Sequence, residues 1–198
     1  MSVSIQKGNS KLGHVLNISL PPGKTCSSLP CFTEGCYARK FYDLRANVRQ
    51  CWDGNYEAWV ADPSQYFADI ATRIKKDKPK LFRFHCGGDI PSSGYLRRMC
   101  ELADLFNRVK FLAFTKRYEW VYAMRNHTPK NLRFVLSMWP GVEVEQAIID
   151  HFPCTWMRDP KNPDPRIPRT ALNCPGGCDS CGLCWHMEAG QSVVFDRH

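Results

Sequence analysis

Four cysteines near the carboxyl end of the chain have residue types and a spacing that could bind metal. They follow the pattern C-x3-C-x2-C-x2-C, with glycines between them: Cys174, Cys178, Cys181 and Cys184. Thiolates are soft ligands that suit iron–sulfur clusters and zinc. Runs of C-x2-C-x2-C are a recurrent way of wrapping a [4Fe-4S] cubane, whose irons lie at separate corners. The loop therefore predicts a [4Fe-4S] cluster, and Trp185, directly after the last cysteine, is expected to shield it from water.

Zinc is the main alternative occupant of this loop. Structural zinc binds four ligands tetrahedrally, with Zn–S bonds of about 2.3 Å, and usually draws its cysteine pairs from two separated knuckles. Four closely spaced cysteines reach that geometry with difficulty, so the spacing favours the cubane. Disulfides or free thiols come last. The eleven cysteines are an odd number, and no continuous apolar run in the first twenty residues suggests an export signal.

A second group of three cysteines follows the first predicted strand. Cys26, Cys31 and Cys36 are spaced C-x4-C-x4-C. They could hold a second cluster, complete a mixed site with the carboxyl-terminal loop, or be free thiols. The isolated cysteines are expected to be small buried hydrophobic residues. Cys86 is the one of these to watch, because it follows His85 at a predicted strand end.

The elements that must position these cysteines alternate between strands and helices. Alternation of apolar and polar residues predicts strands at residues 14–20, 81–86, 109–115, 132–138, 154–157 and 193–195. Helical spacing predicts helices between them, including one over residues 37–50. The clearest helix start is at Asp62, where an aspartate cap precedes Pro63 at the first helical position and Gln65 at N3 can complete a capping box.

This alternation predicts an α/β fold with a parallel sheet. A closed (β/α)8 barrel needs about 250 residues, so a chain of 198 residues predicts a truncated, partial βα barrel or an open parallel sheet. We expect residues 1–158 to form a βα-unit domain that includes the first cysteine group. Residues 159–198 are expected to form a proline-rich linker and a cysteine-rich, metal-binding tail that packs on the same domain. Chemistry in such folds gathers at the carboxyl ends of the strands.

Several of these motifs together resemble the phage "gene product 88" family. The resemblance covers most of the chain, from about residue 15 to residue 186, and is carried by four stretches: Thr25–Ala38, Phe82–Asp89, Phe114–Lys116 and Cys181–Trp185. More distantly, the chain is similar to radical-SAM-type phage proteins that carry a Cys-Tyr-Ala tripeptide at the end of their cysteine loop. The resemblance implies a phage-encoded iron–sulfur protein with a shortened, radical-SAM-like barrel. It implies no defined reaction and no catalytic residues.

The first cysteine group departs from the radical-SAM pattern, which reads C-x3-C-x2-C. In those enzymes three cysteines leave one iron open for SAM, and a glycine-rich strand end receives its amino group. On that resemblance Gly87, Gly88 and Asp89 would be the cofactor-binding residues, although any tight turn from strand to helix favours glycine. SAM is therefore an alternative cofactor. Four protein ligands, as in the carboxyl-terminal loop, instead leave no open iron and suit a closed structural or electron-transfer site.

The charge of the chain permits a polyanionic partner. The net charge of +8 is compatible with binding to nucleic acid or a host protein through a basic surface. The lysines at 75, 76, 78 and 80 are explained equally well by a helix end, where cations complement the helix dipole. No stretch has the length of a membrane span. We expect a cytoplasmic protein of the infected host cell that does not enter a membrane.

The function expected from the sequence is that of a phage-encoded iron–sulfur protein with a redox, structural or regulatory role. Two alternatives stay open. One is a radical-SAM-like enzyme that uses a reducible cluster, and the other is a zinc-stabilised module that binds nucleic acid.

Overall fold

A computed structural model describes residues 3–8, 10–26, 28–29 and 31–196. These residues form a sheet of eight strands in the spatial order β1-β2-β3-β4-β5-β6-β8-β7. The strands are β1 Gln6–Lys7, β2 Leu16–Ile18, β3 Leu81–Phe84, β4 Lys110–Thr115, β5 Leu132–Ser137, β6 Cys154–Arg158, β7 Leu172–Asn173 and β8 Ser192–Asp196.

Most of the helices lie between these strands in the chain. They are α1 Cys31–Glu34, α2 Tyr37–Leu44, α3 Ala46–Ala61, α4 Pro63–Asp77, α5 Ser93–Leu105, α6 Tyr118–Ala123, α7 Gln146–Ile149 and α8 Cys178–Cys181, with 3-10 turns at Arg125–His127 and Leu183–Trp185. Within the described residues, no helix combines the length and the apolar character needed to cross a membrane.

The sheet is open and almost entirely parallel. Strands β2 to β6 pair in parallel in their chain order, β8 continues the sheet beside β6, and β7 closes that edge. Strand β1 pairs antiparallel with β2 at the other edge. The prediction of an α/β protein with an open parallel sheet is confirmed, and the sheet does not close into a barrel.

The two faces of the sheet are covered by different parts of the chain. Because parallel crossovers are right-handed, successive helices fall on the same face. On that face Phe82 and Phe84 of β3 pack against α4 and α5 in the main core, with Ile70 and Met99. Leu81 and Arg83 point to the opposite face, since side chains alternate along a strand. There the carboxyl-terminal tail packs in a smaller core of Leu12, Val15, Leu112, Val135 and Trp185.

The predicted start of α4 is confirmed in part. The Asp62 carboxylate accepts hydrogen bonds from the backbone N–H groups of Ser64, at 3.0 Å, and Gln65, at 2.9 Å. The Gln65 side chain does not complete the capping box. It donates to Asp69 instead, and the backbone N–H of Asp62 already donates to Ala58 O.

The single helix predicted over residues 37–50 is wrong. Arg45 has an extended backbone, with φ −122° and ψ 105°, and divides this stretch into α2 and α3. Helix α3 then continues to Ala61, well beyond the predicted end. The strands β1 and β7 were not predicted either, because two residues are too few to show an alternating pattern.

Candidate functional site

A cavity of about 270 Å³ lies at the carboxyl ends of the central strands. Its wall includes strand-end residues such as His85, Thr115 and Ser137. It also includes seven of the eleven cysteines, all of which are free thiols: Cys26, Cys31, Cys36, Cys86, Cys174, Cys178 and Cys184. The structure therefore brings the first cysteine group and three of the four cysteines of the carboxyl-terminal loop to one cavity.

Main-chain hydrogen bonds hold the carboxyl-terminal cysteine loop on the sheet. The backbone N–H of Cys174 donates to Val194 O at 3.0 Å, and that of Cys178 donates to Lys11 O at 2.8 Å. Helix α8 is a single turn that begins at Cys178, and Gly182, with φ 61°, reverses the chain after it. Three cysteines of the loop thus line the cavity, whereas Cys181 is exposed and lies outside its wall.

These thiols are not arranged around a single point. Among the described residues, no group of three or more His, Cys, Asp or Glu side chains is placed to hold one metal ion. A cubane makes a different demand, because each iron takes its own thiolate at a separate corner. To use all four cysteines of the loop, Cys181 would have to turn inward. The donor chemistry fits a cluster, and the position of Cys181 requires the loop to adjust.

Trp185 anchors the tail to the middle of the sheet. Its indole is 4% exposed and packs in the smaller core, and its Nε1 donates to Phe82 O at 3.0 Å. It also forms part of the cavity wall. Its position beside Cys184 is compatible with the expected shielding role, and the packing alone is reason enough for a large aromatic residue here.

The first cysteine group forms another part of the same wall. Cys26 and Cys31 are buried, and Cys36 is half-buried at the N-cap of α2. Burial raises the pKa of the Cys26 and Cys31 thiols, and the Lys116 ammonium acts in the opposite direction on Cys31. The Lys116 Nζ also donates to Ser137 Oγ at 2.9 Å. This wall therefore combines thiols with a cation.

The Arg117 side chain forms hydrogen bonds within the protein. Its Nη2 donates to Thr25 O at 2.6 Å, and its Nε donates to Ile90 O at 3.2 Å. The guanidinium thereby ties the start of the first cysteine loop to the turn after β3. Of the Lys116–Arg117 pair, Lys116 is the one that lines the cavity.

The glycines predicted to bind a cofactor line the cavity, but packing already explains them. A Cβ on Gly87 would lie 2.3 Å from the Trp52 ring. Gly88 has φ +74°, a conformation that favours glycine, and a Cβ there would lie 2.7 Å from Leu20 O. Their role in binding a cofactor stays a prediction.

Asp89 joins the ends of β3 and β4. Its Oδ1 accepts from Ile90 N and Thr115 Oγ1, both at 2.7 Å, and its Oδ2 accepts from Lys116 N at 2.8 Å. Burial raises the pKa of this carboxyl, and the hydrogen bonds oppose that shift. The cap of the next helix is Ser92, whose Oγ accepts from Tyr95 N. Asp89 therefore lines the cavity, and its hydrogen bonds hold the ends of β3 and β4 together.

His85 is a buried, uncharged residue of the wall. Burial lowers the pKa of its imidazole to about 3, and Arg83 adds to this effect. Its Nε2 lies 3.2 Å from Tyr95 Oη, which in turn lies 3.0 Å from Tyr66 Oη. Its Nδ1 is buried and has no hydrogen-bond partner among the described residues. His85 also has φ +57°, a strained value for a residue with a side chain.

Two arginines lie on the face of the sheet that the tail covers. Arg83 of β3, Leu112 of β4 and Arg133 of β5 occupy one cross-strand row. Both arginines have a buried Nε without a hydrogen-bond partner among the described residues, and no carboxylate of that part of the chain forms an ion pair with Arg83. The Arg83 guanidinium lies over the Phe114 ring, 4.7 Å from its centroid.

The electrostatic neighbours of Arg83 are mostly thiols. Burial by itself lowers the pKa of Arg83, but its neighbours outweigh burial and raise it: Cys86, Tyr37, Cys178 and Cys184. The thiols are themselves protonated at neutral pH, since burial raises the pKa of Cys178 and brings that of Cys184 to about 12. A positive charge thus lies beneath the cysteine loop, and no carboxylate of the described residues forms an ion pair with it.

Comparison with known proteins gives the chain a family. The Gene product 88 family model matches residues 3–187. The chain belongs to this family. The Gene 88 protein of Mycobacterium phage D29 is 27% identical over 224 aligned positions, which cover 95% of this chain and 89% of that protein. The Gene 88 protein of Mycobacterium phage L5 is 25% identical over 219 positions, with the same coverage. No solved structure matches.

The family match confirms the resemblance to the gene product 88 family and the assignment to a bacteriophage protein, whereas the more distant resemblance to radical-SAM-type proteins stays a prediction. In this family member, sequence reasoning missed Arg83 as a residue of the site. A signal was present: in Leu81-Phe82-Arg83-Phe84 the arginine interrupts an apolar strand and falls on the face opposite the two phenylalanines. A cation at such a position marks that face of the strand as a candidate part of a site.

Proposed function

We propose that this gene product 88 family member is an iron–sulfur protein with a redox, structural or regulatory role. The cluster is a [4Fe-4S] cubane, and its ligands are the four thiols of the carboxyl-terminal loop: Cys174, Cys178, Cys181 and Cys184. The single observation that carries the proposal is the guanidinium of Arg83 beneath this loop, whose buried Nε has no hydrogen-bond partner within the part of the chain that the structure describes.

An unmatched charge in the protein interior is energetically unfavourable. A buried charge without a partner costs several kcal/mol, about 3–5 kcal/mol when one member of a buried pair is removed. Arg83 has no carboxylate partner among the described residues, and its neighbours Cys178 and Cys184 are neutral thiols when no metal is bound. Binding a cluster deprotonates the thiols and brings negative charge to the loop. Arg83 then has its counter-ion.

Two features favour a cluster over a single zinc ion. The described thiols do not converge on one point, as zinc requires. The cavity beside them, of about 270 Å³, also offers more space than a single ion fills. Zinc carried by the same four thiolates would satisfy the charge of Arg83 equally well, so metal analysis must separate the two.

The test is analysis of protein purified without oxygen. We expect a brown protein with iron and acid-labile sulfide in equal amounts, about four of each per chain. The Cys178→Ala/Cys184→Ala variant should lose the iron. The matched control is Cys51→Ala, because Cys51 lies in α3 away from the cavity wall. A colourless protein with one zinc per chain would overturn the proposal, and full iron retention in the double variant would overturn the choice of loop.

An enzyme that uses a reducible cluster is a second candidate function. It is favoured by the position of Cys26, Cys31 and Cys36 on the cavity wall at the strand ends, because a cluster with three protein ligands keeps one iron open. Reduced protein incubated with SAM would then release 5′-deoxyadenosine and methionine. Release no greater than in a Cys31→Ala/Cys36→Ala control would eliminate this candidate and leave the first one standing.

A further inference from the structure

Helix α2 exposes an apolar face that most amphipathic helices bury. Tyr37, Phe41 and Leu44 follow each other at intervals of four and three residues, which places them on one side of the helix. Their exposed fractions are 48%, 44% and 72%. Phe32 of the neighbouring α1 is half-buried nearby. We call these four residues and the cations around them the α2 surface.

The cations of the α2 surface are stacked on its aromatic rings. The Arg39 guanidinium lies 4.8 Å from the centroid of Phe32, and that of Arg45 lies 5.3 Å from the centroid of Phe41. Lys40 and Arg49 are exposed beside them. The one carboxylate of residues 37–50, Asp43, is an exposed partner of Arg39 at 3.4 Å, and exposed pairs of this kind contribute little. The surface is therefore both aromatic and positively charged.

We propose that the α2 surface binds single-stranded nucleic acid. Bases stack on exposed aromatic rings and on guanidinium planes, and phosphates pair with surrounding cations. The surface provides both groups together: rings at Tyr37 and Phe41, and cations at Arg39, Lys40 and Arg45. A duplex hides the faces of its bases, so the single strand is the form that fits. Tyr37 also forms part of the cavity wall, so a bound strand lies next to the cavity.

Binding at the α2 surface does not require the proposed cluster, because none of the residues of this surface is a cysteine. The chemistry also distinguishes nucleic acid from an acidic protein. Both would use the cations, but only the nucleic acid needs flat exposed rings with guanidinium groups stacked on them. The ring-directed and charge-directed variants below therefore give different results for the two partners.

The test is fluorescence anisotropy with a short labelled oligodeoxythymidine and a matched oligouridine over a range of salt concentrations. We expect the logarithm of the binding constant to fall with the logarithm of the salt concentration, by about 0.7 for each phosphate contact. Arg39→Ala/Arg45→Ala should reduce that slope by about 1.4. Phe41→Ala should weaken binding roughly tenfold and leave the slope unchanged, since stacking does not release counter-ions.

The matched control removes two charges at the opposite end of the sheet. Lys75 and Lys76 are exposed in the last turn of α4, and Lys75→Ala/Lys76→Ala should leave affinity and slope as in the wild type. All these positions are exposed, so the variants are expected to melt within a few degrees of the wild type. Absence of binding at low salt would refute the proposal. Equal effects of the α2 and α4 pairs, or binding of a polyglutamate peptide that Phe41→Ala leaves intact, would refute it as well.

Discussion

Replacing Arg83 with methionine should change stability in opposite directions in the metal-free and the cluster-loaded protein. Methionine keeps an unbranched side chain in the cavity but removes the charge. In the metal-free protein that charge is unmatched, because Cys178 and Cys184 are protonated. Replacing a buried ion pair with apolar groups of similar volume often stabilises proteins by about 1–4 kcal/mol, and we take the same range for the charge of Arg83. The lost contact with Phe114 removes about 1 kcal/mol of this gain, which leaves an expected stabilisation of up to about 3 kcal/mol.

In protein loaded with the proposed cluster, the same substitution would remove the counter-ion of that cluster. Two unit charges about 8 Å apart interact by about 2 kcal/mol at an effective dielectric constant near 20. The cluster should therefore bind about thirtyfold more weakly in Arg83→Met. Its reduction potential should fall by about 90 mV, because the added electron loses a nearby positive charge.

The measurements are urea unfolding of the metal-free protein, iron retention against a chelator, and a redox titration of the loaded protein. Arg83→Lys is the control, because it keeps the charge without the planar guanidinium and should retain most of the potential. Destabilisation of the metal-free protein by Arg83→Met would mean that the contacts of Arg83 with Phe114 and Tyr37 outweigh the cost of its buried charge. An unchanged potential would mean that the cluster lies elsewhere. Either result would refute the reasoning.

Three further substitutions, with Gly54→Ala in α3 as a comparison, test the surroundings of the cavity by urea unfolding. Gly88→Ala should destabilise the protein by about 1–3 kcal/mol, because Gly88 has a positive φ and an added Cβ would lie too close to Leu20 O. Gly54 lies inside a helix with open space where a Cβ would be, so Gly54→Ala should stabilise the protein by about 0.5–1 kcal/mol. His85 binds a proton in the unfolded chain below pH 6.5, but in the folded protein only near pH 3. The free energy of unfolding should therefore fall by up to about 1.4 kcal/mol for each pH unit below pH 6.5. His85→Asn should remove this part of the pH dependence, and an identical slope in both proteins would contradict the expectation. Trp185→Phe loses the hydrogen bond to Phe82 O and should cost about 0.5–1.5 kcal/mol, an expectation that unchanged stability would rule out.

Local patterns in the sequence were enough to predict the six longer strands of the sheet. The strands β3, β4, β5 and β6 are apolar segments bounded by turn residues, and their parallel pairing followed from the helices between them. The break at Arg45 was missed because residues on both sides have helical patterns, and the division appears only in the backbone angles. The two-residue strands at the edges depend on a neighbouring strand, so no local pattern could indicate them.

The sequence predicted the two cysteine groups separately, but not that the fold brings them to one cavity. The spacing of the cysteines marked both groups, and the strand-end rule placed the first one at the correct edge of the sheet. That the tail returns to cover the sheet depends on contacts between residues far apart in the chain, such as Trp185 with Phe82. The sequence suggested a cofactor-binding role for the glycines at 87 and 88. Packing against the Trp52 ring and Leu20 O explains them instead, and both of these groups come from other elements.

The tail is held on the sheet by contacts that use protein atoms alone. Strand β8 pairs with β6 along its whole length, Trp185 is buried in the smaller core, and Cys178 N donates to Lys11 O. Two of these contacts fix residues after the loop and the third fixes Cys178 within it, so residues 179–183 are the part of the loop that must adjust if the proposed cluster binds. Cys181 has the largest adjustment to make, because it is the exposed member of the four. A tail that is already docked lowers the ordering entropy that cluster binding must overcome, and the unmatched charge of Arg83 beneath the loop favours an anionic occupant.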